Sequence, residues 1–132
     1  MFLNAYRLFS LTSLVLISSV INAQLTIVVD EIPANTPEDP QIFVAGDFQG
    51  WDPGNPTYQL EEQFDGSFLI EISPAPGPIT FKFTRGSWDT VEGNENGGFL
   101  PDRQYTWDGN PTTLTLQILT WEDTGGLEST AA

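Results

Sequence analysis

The most constraining feature of this sequence is a period of two that recurs in short runs. Ile79–Thr84 places Ile79, Phe81 and Phe83 on one side of an extended chain and Thr80, Lys82 and Thr84 on the other. That alternation is the signature of a strand with one buried and one wet face. Leu25–Asp30 repeats it with Leu25, Ile27 and Val29, and Ser67–Ile72 with Phe68, Ile70 and Ile72 against Glu71. Thr112–Leu119 does so again, with Leu114, Leu116 and Ile118 facing away from Thr113, Thr115 and Gln117. Gln41–Ala45 is more evenly apolar, which suits a central strand covered on both sides. Thr57–Leu60 and Arg103–Trp107 are shorter candidates, and helical periodicity is hard to find.

Between these runs lie Pro33–Pro40, Gly46–Pro56, Ser73–Pro78, Gly93–Gly98 and Asp108–Pro111, all rich in turn residues. Asp65-Gly66, set between Gln63-Phe64 and Ser67-Phe68, is a hairpin signal. About seven short strands with turns roughly every ten residues predict an all-β, immunoglobulin-like β-sandwich. Its domain spans residues 24–123, with a flexible tail over 124–132, where the sequence turns small and polar. There is no internal repeat.

Met1–Ala23 reads as a secretory signal peptide: Arg7, an apolar stretch from Leu8 to Ile21, then small Ala23 at the expected cleavage position. A retained N-terminal anchor is the rival, but the stretch falls short of the roughly 20 apolar residues of a spanning helix. Cleavage after Ala23 leaves 132 − 23 = 109 residues and, with Arg7 gone, moves the formal charge from −14 to −15. The expected destination is secreted or periplasmic.

Composition argues against whole classes of function. With 18 acidic side chains against four basic ones, only Lys82, Arg85 and Arg103 remain as cations after residue 23. Nucleic acid and anionic membrane surfaces are therefore disfavoured as partners, because both demand a basic footprint. The absence of Cys and His excludes disulfides, the usual structural zinc, cysteine proteases and serine–histidine triads. No cofactor is expected, and no enzymatic activity.

What remains is an unusual placement of tryptophan. Gly50-Trp51-Asp52-Pro53-Gly54 and Gly86-Ser87-Trp88-Asp89 hold indoles in loops, where a strand core has no need of them. An indole face in a loop suits the apolar C–H face of a sugar ring, whose hydroxyls seek carboxylates, amides and ammonium groups. The competing reading is that both indoles cap the open end of the core. Trp107 and Trp121 fall at strand ends, where packing at the core edge is the expected role.

These residues also carry a family resemblance. Ile42-Phe43-Val44-Ala45-Gly46-Asp47-Phe48-Gln49-Gly50-Trp51-Asp52-Pro53, then Asp65-Gly66-Ser67-Phe68, Phe81-Lys82-Phe83 and Asp102-Arg103 resemble the starch-binding modules of carbohydrate-binding family 20. The chain is similar also to the glycogen-binding modules of family 48, and the likeness covers about residues 25–123. It implies non-catalytic binding of α-glucans (starch, glycogen or maltooligosaccharides), alongside a hydrolase catalytic domain or protein.

Carried over by position, Trp51 matches the family's first stacking tryptophan and Lys82 its polar partner on the neighbouring strand. The family's second stacking tryptophan stands beside a glutamate. Here Glu92 is followed by Gly93, and the nearest indole is Trp88, four residues earlier. Asp102 stands where the family has asparagine. The implied site is thus Trp51, Lys82, Trp88, Glu92 and Asp102, with Thr84–Leu100 either remodelled to let Trp88 reach the sugar or leaving a single stacking face. A second family site has no evident counterpart, since Phe68 takes the place of its tryptophan and Tyr58 is a loose substitute.

Three rivals stay open. Glu92–Gly98 has oxygen ligands and glycines for calcium, but not the spacing of the twelve-residue loop. Glycoside hydrolysis would need a carboxylate pair in a cleft. A β-sandwich accessory or protein-interaction module without its own glycan affinity is the third, because the fold alone proves no function.

Overall fold

The computed structural model describes residues 23–125, and across them the alternating runs become two facing sheets of an all-β sandwich. The strands are β1 (Leu25–Glu31), β2 (Phe43–Gly46), β3 (Glu61–Glu62), β4 (Phe68–Ile72), β5 (Gly77–Thr84), β6 (Glu92–Gly93), β7 (Arg103–Trp107), β8 (Thr112–Gln117) and β9 (Thr120–Trp121). One sheet has the order β3-β4-β1-β8, the other β2-β5-β7, and β6 pairs with β9 as a short ribbon. All pairings are antiparallel except β1 with β8, which run parallel.

Alternation decides which side chains go inside. Leu25, Ile27 and Val29 of β1, together with Phe68, Ile70 and Ile72 of β4, face Ile79, Phe81 and Phe83 of β5, and all are buried in one cluster. Ile42 and Val44 join it from the β2 segment, while Trp107 and Trp121 close it at strand ends, 3% and 0% exposed. Both indole N–H groups are satisfied there, Trp107 donating to the Asn110 carbonyl and Trp121 to the Thr36 hydroxyl. The Asp65-Gly66 turn joins β3 to β4 as a hairpin, with Gly66 at φ 85°.

Two expectations change. The Thr57–Leu60 segment opens as a 3-10 turn, Pro56–Tyr58, instead of a strand, because Asn55 caps it by accepting from the Thr57 amide and Pro56 presets its first residue. Gln59 alone bridges to Phe43. The evenly apolar β2 is buried at every position, yet it lies at the sheet edge and β5 takes the centre.

The outer face of β5 is also drier than alternation implies. Thr80 stays half-buried, but Lys82 and Thr84 are buried. In the β2–β5 register Phe43 sits beside Thr84 and Ala45 beside Lys82, so these four share one outward face. Loops from both ends fold back over it. The signal peptide reading falls on residues 1–22, outside the described residues apart from Ala23, as does most of the 124–132 tail.

Candidate functional site

The loop after β2 starts at Gly46, opposite Phe81, and runs back along the outer face toward Thr84. Its first residues, Asp47–Gln49, form a 3-10 turn that ends in Gly50 at φ 73°. Trp51 follows at φ 56°, a left-handed conformation that is uncommon for a bulky residue. Gln49 holds it there. Its side-chain oxygen accepts from the amides of Gly46 (3.2 Å) and Asp52 (2.6 Å), and its amide nitrogen donates to the Asp52 carbonyl at 2.8 Å. The Trp51 amide closes the turn on the Gly46 carbonyl at 3.0 Å.

The loop after β5 is closed in a similar way. The Arg85 amide donates to the Thr90 carbonyl (3.1 Å), and Thr90 returns both its amide and its hydroxyl to Ser87. Between them, Trp88–Thr90 make one 3-10 turn. Trp88 is 43% exposed.

These two loops bring Trp51 and Trp88 together, with ring centroids 6.4 Å apart and planes inclined at 41°. Neither indole belongs to the hydrophobic core cluster. The pair makes an open, bent aromatic platform whose chemistry is that of π-faces. A cavity of about 430 Å³, lined among others by Leu100, Arg103, Leu116 and Leu119, includes neither indole.

Of the remaining residues singled out in the sequence, Lys82 and Glu92 are buried. Lys82 is 6% exposed, donates from Nζ to the Leu100 carbonyl, and places that ammonium 4.6 Å from the centre of the Phe99 ring. Its expected wet face is covered because the chain around Phe99–Leu100 crosses β5. Glu92 is 0% exposed. Its carboxylate accepts from Arg103 Nε at 2.8 Å, from an Arg103 terminal nitrogen at 2.8 Å, and from the Phe83 amide at 3.2 Å. A carboxylate enclosed in this way ties β6 to β7 and offers no surface to a sugar. Asp102 is exposed. Phe68 is 3% exposed, and Tyr58 leans on Phe48 with centroids 5.8 Å apart.

In the loop considered for calcium, Asn94 spends its side-chain oxygen on the loop itself. Asn94 Oδ1 accepts from the amides of Asn96 and Gly98, both at 2.9 Å, and Asn94 Nδ2 donates to the Phe99 carbonyl at 3.1 Å. Among the described residues no three His, Cys, Asp or Glu side chains converge. Sequence reasoning missed Gln49 and Thr84 as parts of the site's frame. No residue signal marks the first. The second was hidden by an alternation that reads as solvated.

No family model matches the chain. It is similar to an alpha-amylase of Niallia circulans, 36% identical over 93 residues, and to an amylopullulanase of Thermoanaerobacter thermohydrosulfuricus, 30% identical over 98 residues. Each match covers 70% of this chain but only 7% and 6% of those relatives. The chain thus spans less than a tenth of the proteins it resembles.

Proposed function

We propose that residues 24–123 are a non-catalytic module that binds α-glucans of the starch and glycogen type, of the kind found in carbohydrate-binding family 20. The carrying observation is the inclined pair of a half-buried Trp51 and an exposed Trp88. Two π-faces set at an angle suit consecutive hexoses in a chain that curves, as an α-linked glucan does, better than a flat ribbon of β-linked sugars. Relatives named as an alpha-amylase and an amylopullulanase support the choice of glucan, and the small share of them that the chain covers supports an accessory role beside a catalytic domain. Export follows from the leader reading, with the mature chain starting at Gln24, one residue before β1.

Calorimetry with maltoheptaose tests the function. Micromolar to millimolar affinity is expected, about −4 to −8 kcal/mol, unchanged by EDTA and with no reducing sugar released. Absence of heat with maltoheptaose, or equal heat with a β-linked glucan, would overturn it. A protein-contact module is the second reading, favoured by Phe99 and Leu119, which are 71% and 48% exposed.

A further inference from the structure

We infer that Thr84 is the positioning residue of the aromatic platform, its buried hydroxyl fixing the distance between the two indoles. This rests on the reading of Trp51 and Trp88 as the glucan-binding faces. The loops are each closed internally, Trp51 by Gln49 and Trp88 by the Ser87–Thr90 turn. Those bonds shape each loop but do not set one against the other. Thr84 does: its Oγ1 donates to the Pro53 carbonyl in the first loop and accepts from the Gly86 amide at 3.1 Å in the second. It is 0% exposed at the last position of β5, so this one oxygen is anchored in the rigid sheet.

Close backbone approach complements the tie. A Cβ on Gly54 would stand 2.5 Å from the Gly86 carbonyl oxygen, so the loops touch where only glycine fits. In Thr84→Val a methyl group replaces the oxygen that now holds Pro53 at hydrogen-bond distance. Carbon needs more room than that, and the first loop must move outward. Affinity then falls because the two faces are no longer preorganised for one ligand.

The test compares wild type, Thr84→Val, Thr84→Ser and Gly54→Ala, with Trp88→Ala as the background that abolishes the pair. The first readout is the exciton couplet of the Trp51–Trp88 pair in far-ultraviolet circular dichroism, defined as the part of the spectrum lost in Trp88→Ala. It is expected to shrink in Thr84→Val and Gly54→Ala and to persist in Thr84→Ser, with the sheet signal unchanged in all. The second is maltoheptaose affinity, expected to fall at least about fivefold in Thr84→Val, and hardly at all when the same change is made in Trp88→Ala. A couplet that survives Thr84→Val, or an equal loss of affinity in the Trp88→Ala background, would overturn the assignment. If wild type fails to bind maltoheptaose while the couplet behaves as expected, the positioning role stands and the glucan reading falls. Gly54→Ala separates the loops by a clash at Gly86, with the Thr84 side chain itself unaltered. Should Thr84→Val fail to fold, a couplet that shrinks in Gly54→Ala and persists in Thr84→Ser supports the assignment, and one that survives Gly54→Ala or is lost in Thr84→Ser overturns it.

Discussion

Trp51 carries its indole on a backbone at φ 56°, a conformation that costs a non-glycine residue free energy and is retained only where the surroundings hold it. Its ring lies outside the core cluster. Trp51→Ala is therefore expected to leave the melting transition cooperative while removing most glucan affinity, about 2 kcal/mol or more, roughly thirtyfold; calorimetry and thermal unfolding of the same sample check both halves. Glu92 predicts the reverse. Its carboxylate is fully enclosed with Arg103, and Glu92→Ala leaves a half-buried guanidinium without its partner, an expected loss of about 3 to 5 kcal/mol in urea unfolding. Glucan affinity of the folded fraction should not change. The resemblance pointed to Glu92 by sequence position and to Trp88 as the nearest indole, and the turn after β5 let Trp88 be expected within reach of Trp51. Position along the chain does not say which of two neighbours faces out.

The turns at the ends of the elements respond to acid in a defined direction. In the β3–β4 hairpin the Ser67 hydroxyl (2.6 Å) and amide (2.9 Å) both donate to Asp65, and the hydroxyl first, then the amide, hold its carboxyl below the ordinary 3.8. The Asn110 amide does the same for Asp108 in the turn between β7 and β8. Because the folded value is depressed, the turn is favoured at pH above 3.8 and loses that favour as pH falls through the lower folded value. In an NMR acid titration Asp65 is expected to protonate below 3.8, with the Ser67 amide shift following it, and Ser67→Ala is expected to move the midpoint back up. At this scale the sequence was most legible. The hairpin and six of the seven strand candidates appear as strands, since strand alternation and Asp-Gly turns are local codes. Thr57–Leu60 misread because its aromatic and β-branched residues suggest a strand, whereas the Asn55 cap and Pro56 start a tight turn.

For the whole molecule, a formal charge of −14 makes self-repulsion the dominant long-range field. Raising salt from about 0.01 M to about 0.3 M shortens the screening length severalfold, so the melting midpoint is expected to rise. Maltoheptaose is neutral, so its affinity should change less than about twofold over the same range, in contrast to the steep fall of a polyanion binder. Differential scanning calorimetry and titration at both salt levels check the pair of outcomes. Composition determined that charge, the lack of a basic footprint for nucleic acid and the absence of histidine and cysteine chemistry; alternation determined the sandwich and which side chains form its core. The resemblance and the chain's exit from β5 already implied that Trp88 reaches Trp51, as it does; only the tertiary structure decided the angle of the pair, the dryness around Lys82 and Thr84, and the inward turn of Glu92. The indole pair depends on two loops folding back over the outer face of β5 and meeting at Gly54 and Gly86, Lys82 on the chain around Phe99–Leu100, and Glu92 on Arg103. A contact between segments some thirty residues apart is set by backbone shape and one hydroxyl, which leave no periodic trace in the chain.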